Sequence, residues 1–223
     1  MSRVKILNAW HIKLLMAALM VLDHLHYMQD LVPPNTAYIF TIISRCVAPM
    51  FGYLAVEGIR HTRNLKMYCL RLLVLAAIMF AGNALFGWAL QSNINNNVIF
   101  TLSMGVVAIA LVIWGKEKKN TFPYILAGIC FAVGFLFGEW GTVLLPFMTV
   151  TYFLRDKRVF LCIGYAITAV IAFLVPWGEP WWFIVFPFIV LYNGERGLNT
   201  RFTKYFFYVF YPLHLWIIAI IRQ

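Results

Sequence analysis

His24 and His214 each interrupt a long apolar run, and imidazole is the side chain whose ordinary proton affinity lies nearest neutral pH. A histidine so placed suits general acid–base work on the N–H or O–H of an acceptor. Asp23 stands beside His24, where a carboxylate can orient or tune the ring. Lys13 lies eleven residues before His24, close to three helical turns, so the two share a face with His24 roughly 16 Å further along. Arg45, in Ser44-Arg45-Cys46-Val47-Ala48-Pro49-Met50-Phe51, needs an anion inside its own apolar run, and Asp23 is the nearest candidate. Pro49 frees a backbone carbonyl and predicts a kink. Glu57 opens a run containing Arg60, His61, Arg63, Asn64 and Lys66, a cationic patch that suits a phosphate-rich cofactor such as coenzyme A.

The elements that must position these residues are apolar helices. The chain has 223 residues, 63% hydrophobic and 12% charged, with mean hydropathy +0.81. A soluble domain of that length needs far more polar surface. The formal charge of +10 would suggest nucleic acid in a soluble protein, but the basic residues here occupy short loops between apolar stretches, the positive-inside pattern of a membrane protein. Nucleic acid is therefore excluded as a partner. Cys46, Cys69, Cys130 and Cys162 are scattered without a CxxC, so they read as small apolar residues. No disulfide frame and no metal site is expected.

Threading the apolar runs gives spans at about 9–28, 37–58, 68–90, 98–115, 121–137, 140–154, 159–176, 181–192 and 205–221. All eighteen Lys and Arg except Arg45 and Arg222 then fall on one side. The expectation is an all-α, polytopic transmembrane helix bundle of about nine spans, forming one domain over 1–223 with its N-terminus cytoplasmic. Several spans fall short of the roughly 20 residues that cross a bilayer core. Lys13, Asp23 and His24 interrupt the first apolar run, which therefore does not read as a cleavable signal. Charges at bilayer depth are costly unless paired or facing a cavity, so Lys13, Asp23, His24, Arg45, Glu57 and His214 are all candidates for function.

Each candidate also has a plainer reading. Asp23 and His24 could cap the outer end of the first helix while Lys13 snorkels inward. The run from Arg60 to Lys66 could be an ordinary inner loop, and His214 a hydrogen-bonded packing residue. Two other function classes fit as well. His24 and His214 could be axial ligands of a b-type haem, or Asp23, Arg45 and Glu57 could line the path of a small transporter or flippase.

The run from Lys13 through Leu22 to Asp23-His24 resembles the opening signature of the TraX family, membrane proteins linked to N-terminal acetylation of conjugative pilin. Further segments are similar in the same order: Arg45-Cys46-Val47-Ala48-Pro49-Met50-Phe51; Glu57-Gly58 through His61-Thr62-Arg63-Asn64 with Tyr68 and Arg71; Asn97 through Thr101; Glu139-Trp140-Gly141; and Phe210-Tyr211-Pro212-Leu213-His214-Leu215. Ser44 stands where the family usually has glycine, and Trp140 where it tends to have tyrosine. The Lys13–His24 spacing also resembles the Arg-x10-His pattern of membrane acyltransferases, with Lys for Arg. The likeness covers about 10–220.

The resemblance implies acetyl transfer from cytoplasmic acetyl-CoA to an amine, as on a pilin-like protein, or to a hydroxyl, as on a glycan. It implies a multi-pass protein of the bacterial inner membrane in contact with lipid. His24 would be the general base, Asp23 its orienting partner, Arg45 a polariser of the thioester carbonyl or the partner of Asp23, and His214 a second acid–base group or a holder of the cofactor's pantetheine arm. Lys13, Glu57, Arg60, His61, Arg63, Asn64 and Arg71 would hold the cofactor. Asn97, Glu139 and Tyr211 would meet the substrate.

Overall fold

A computed structural model describes residues 6–25, 32–91, 96–174, 180–198 and 200–221. Arg3, Lys5, His26, residues 92–95, the Pro176–Glu179 turn and Arg222 lie outside the described residues, as do the side chains of Arg201 and Lys204. The regular elements are helical: α1 (Ala9–His24), α2 (Pro34–Ser44), α3 (Val47–His61), α4 (Leu65–Ala89), α5 (Val98–Lys118), α6 (Phe122–Phe137), α7 (Gly141–Leu154), α8 (Arg158–Leu174), a 3-10 segment (Pro180–Val185) with α9 (Phe186–Leu191), and α10 (Arg201–Ile221). Three stretches are long and apolar enough to cross a membrane: Pro34–His61, Leu65–Ala89 and Val98–Lys118. Shorter apolar helices cover 122–137, 141–154, 158–174, 181–191 and 205–221. Leu70, Leu73, Val74, Ile78, Ile125, Ile129, Ile163 and Ile167 all point outward. A band of that kind is solvated by acyl chains and not by water.

The second expected span is two helices. The break falls at Arg45 and Cys46, four residues before Pro49. Proline lacks the N–H that would bond the carbonyl four residues back, and its ring crowds that same carbonyl. The kink therefore appears one turn before the residue that causes it. The eighth span is reduced to the 3-10 segment and six-residue α9, with Pro187 inside its first turn.

The described residues form two compact units, each taken by itself: 1–50 with 82–95 and 181–223, and 51–81 with 96–180. In the first unit α1 starts at Asn8, whose side chain accepts from His11 N at 3.0 Å. Ile12, Met16 and Met20 bury one face of α1. α2 doubles back along α1, since Ser44 at its end donates to Leu19 O at 2.9 Å. α10 runs parallel to α1: Trp10 packs edge-on against Phe207, and fourteen residues later His24 meets His214. The segment before α1 is tied down by Leu7 pairing with Tyr192, and by Ala9 N donating to Glu195 O at 2.9 Å.

Gly197 lies against this strap with φ +71, and a Cβ there would collide with the Asn8 side chain. A left-handed conformation costs other residues roughly 1–2 kcal/mol. Gly197→Ala is therefore expected to destabilise the protein by at least about that much, read as a lowered unfolding midpoint in detergent. An unchanged midpoint would show that the strap yields without cost.

In the second unit α5, α6, α7 and α8 pack in sequence around Val106, Leu144, Phe147, Met148, Leu161 and Tyr165. Tyr165 bonds Thr151 in this core and meets the Phe147 ring edge-on. The two ends of the unit differ in charge. One end gathers Arg60, Lys116, Arg155 and Asp156, with Arg60 bonded to Asp156 and Lys116 lying over the Tyr152 ring. The other end gathers Asn96, Asn97 and Glu139. Such segregation of basic residues to one end is what alternating spans produce.

Candidate functional site

The first unit holds the imidazoles. His24 ends α1, and His214 lies in α10 two residues after Pro212. The helices bring the rings together, with centroids 5.1 Å apart and His214 Nε2 at 3.2 Å from His24 Nδ1. Both residues are buried, each 7% exposed. His214 Nδ1 lies 2.9 Å from Phe210 O, one turn back on α10. The Phe210 ring stacks on the His214 imidazole at 5.0 Å, and Tyr211 meets it edge-on at 5.7 Å. Two rings in direct hydrogen-bond contact leave no gap for a haem plane between them, so this arrangement speaks against the axial-ligand reading.

Asp23 and Arg45 come together as expected, with Arg45 Nη1 3.5 Å from Asp23 Oδ1. Arg45 reaches Asp23 because the break between α2 and α3 sets its side chain beside the end of α1. Lys13 lies one face-repeat below His24 as the spacing required, its Nζ 5.7 Å from the centre of the Phe207 ring. α10 carries a third polar anchor that the sequence reading passed over. Trp216 Nε1 donates to Asn83 Oδ1 at 3.0 Å, and its indole stacks on Phe86 at 5.2 Å. Gly82 makes room for it, since a Cβ there would run into the indole. This anchor sits two residues beyond His214 and fixes the register of α10. Trp216→Phe is expected to cost about 1 kcal/mol through the lost hydrogen bond, visible as reduced thermal stability; full wild-type stability would remove the anchor role.

The second unit holds the cationic patch, and most of its residues have local work. Glu57, 3% exposed, pairs with Arg155. His61 Nε2 lies 3.8 Å from the other Glu57 oxygen. Arg60 bonds Asp156 at 3.0 Å, and that hydrogen bond holds the exposed Asp156 carboxyl below the usual carboxylate range. Arg155, absent from the candidates drawn from sequence, is thus the hub that joins Glu57 to Asp156. Asn64 caps α4 by accepting from Met67 N at 3.0 Å. Tyr68 donates its hydroxyl to Ala55 O at 3.2 Å and passes so close to Gly58 that no Cβ fits there. The spacing of Gly58 and Tyr68 is therefore a packing requirement between α3 and α4. Arg63 is exposed, and Arg71 carries a buried Nε.

Asn97 and Glu139 meet at the opposite end of this unit. Asn97 caps α5, accepting from Phe100 N at 3.2 Å and donating to Ala76 O at 3.2 Å. The Glu139 carboxylate accepts from Asn97 N at 2.5 Å and Asn96 Nδ2 at 3.4 Å, a negative charge at a helix N-terminus. Thr101 Oγ1 donates to Glu139 O at 2.8 Å, tying the α6–α7 hairpin to α5. Trp140, at φ +55, makes the turn. Tyr211 belongs with the imidazoles of the first unit.

Three apolar helices of spanning length, joined by shorter apolar helices and accompanied by an imidazole pair and buried ion pairs, define the class: among the described residues, an all-helical membrane protein. The chain belongs to the TraX family, whose model, described as TraX protein, matches residues 9–222. It is also similar to the probable fimbrial assembly protein FimC, serogroup H1, of Dichelobacter nodosus, at 26% identity over 245 residues and 96% of each chain. No solved structure matches the chain.

Proposed function

We propose that this protein is a multi-pass acetyltransferase of the bacterial inner membrane, with about nine spans and a cytoplasmic N-terminus. It moves an acetyl group from acetyl-CoA to an acceptor amine or hydroxyl. The observation that carries the reading is the His24–His214 contact at 3.2 Å between apolar helices, beside the Asp23–Arg45 pair. Membership in the TraX family and the fimbrial-assembly relative support a pilin-like acceptor. His24 takes the proton from the acceptor N–H or O–H as that atom attacks the thioester carbonyl. Arg45 stabilises negative charge near the site and holds Asp23. The carbon–sulfur bond breaks, and the departing thiolate receives the proton that His24 carried. In the second unit, taken by itself, Arg60, Arg63 and Arg71 are cationic positions that would suit the phosphates of a ligand such as coenzyme A.

The test is turnover of radiolabelled acetyl-CoA by purified protein in detergent or nanodiscs. Release of label, or its transfer to a pilin-like peptide or glycan, is expected from the wild type. Loss is expected when both imidazoles are replaced. A folded wild-type protein that neither binds nor turns over acetyl-CoA would overturn the proposal and favour a transport role for the buried charges.

A further inference from the structure

The proton positions on the imidazole pair follow from its hydrogen bonds. The Phe210 carbonyl can only accept, so His214 Nδ1, 2.9 Å away, must carry a hydrogen and donate it. A neutral His214 then has its lone pair on Nε2. His24 Nδ1 lies 3.2 Å from that lone pair, so the contact requires a hydrogen on His24 Nδ1. With both rings neutral, the lone pair of His24 stands on Nε2. One ring's hydrogen bond has fixed the tautomer of the next.

From this chain of contacts we infer that His214 is a positioning residue, which holds His24 in its Nδ1–H tautomer so that His24 Nε2 is the basic atom. The inference rests on the acetyl-transfer reading for its chemical use, and it replaces the expectation that His214 is a second acid–base group touching substrate. In the transfer step the acceptor's proton goes to His24 Nε2. The imidazolium so formed keeps its Nδ1–H on His214 Nε2, which stabilises the positive charge. The proton then leaves from Nε2 to the departing thiolate, and both rings return to their starting tautomers.

The Phe210 ring, stacked on the His214 imidazole with 9° between planes, and Tyr211 at its edge fix the ring's rotation. The arrangement acts as the carboxylate does in a serine–histidine–aspartate triad, with a neutral imidazole as the orienting acceptor.

Protein labelled with 15N in its five histidines tests the proton positions without any need for turnover. Imidazole nitrogen shifts distinguish protonated from unprotonated atoms, and His24→Gln and His214→Gln spectra assign the pair. The expected spectrum shows both His24 and His214 as Nδ1–H tautomers at neutral pH. A His24 that reads as Nε2–H overturns the inference even if the enzyme is active.

Kinetics supply the second readout. His214→Leu should lower kcat on the order of 10- to 100-fold, by analogy with metal-bound histidines that lose the partner orienting them, with KM for acetyl-CoA unchanged. His214→Gln, whose amide oxygen reaches where Nε2 stood, should recover most of the loss. Equal losses in the two variants, or a loss confined to KM, would overturn the positioning role. Absence of transfer from wild-type protein would sink the proposed function alone, since the 15N spectrum still reports the protons.

Discussion

Acetyl transfer by a His24→Ala protein is expected to fall about 10²- to 10⁴-fold, the range a positioned general base contributes. The loss should appear in kcat, with binding of acetyl-CoA close to wild type, because in the proposed mechanism the imidazole acts on the acceptor's proton. The variant also removes the ring that His214 Nε2 meets at 3.2 Å, at a cost of about 1–3 kcal/mol for an orphaned buried polar atom. Activity must therefore be compared at a temperature where both proteins are folded, as judged by their unfolding curves. Transfer retained within a few-fold by a folded, membrane-inserted His24→Ala protein would remove the imidazole from the chemistry altogether.

The second large effect is on stability. Arg155→Met should destabilise the protein by about 3–5 kcal/mol, the usual result of stranding one member of a buried ion pair. Glu57 is 3% exposed and Arg155 18%, so little water is available to replace the lost guanidinium. His61, 3.8 Å from the other carboxylate oxygen, offsets part of the loss when protonated. The double variant Glu57→Gln/Arg155→Met should recover much of it, since no buried charge remains. Asp156→Asn is the internal control. Its carboxylate is exposed, and its depressed pKa makes a contribution that is present above the ordinary Asp range and fades as pH falls through the lowered value. An exposed pair of that kind contributes little and is screened by salt. Denaturant unfolding in micelles that ranked Arg155→Met with Asp156→Asn would show that Glu57 tolerates isolation.

Helix positions were largely legible because apolar run length and charged punctuation are local signals. The spans expected at 98–115, 121–137 and 140–154 match α5, α6 and α7 within a few residues. The shared face of Lys13 and His24 was legible too, since it needs only the 3.6-residue repeat. The break at Arg45 could have been placed: proline disturbs the carbonyl four residues before it, which points from Pro49 to Arg45. Partnerships between distant elements were harder. Asp23 and Arg45 were matched because they are the opposite charges on consecutive spans. Glu57 and Arg155 are separated by four helices, and nothing in either segment names the other.

The His24–His214 contact had one available clue. Both residues lie on helices that run in the same direction, His24 at the end of α1 and His214 two turns before the end of α10. Asn64, Asn97 and Glu139 illustrate the reverse difficulty. Polar residues at the ends of apolar runs read equally well as ligands or as caps, and the structure gives each a helix terminus to satisfy.

The parallel pairing of α1 with α10 has a consequence for biogenesis. The two imidazoles stand 190 residues apart in the chain. At the usual 5–20 residues per second of synthesis, His24 enters the membrane about 10–40 s before His214 is made. Through that interval the polar end of α1 is without its α10 partner. A chain that stops after α9 lacks α10 and with it His214. On the proposed reading, catalytic competence is acquired all at once, when α10 docks, and it would report on completed insertion as much as on chemistry.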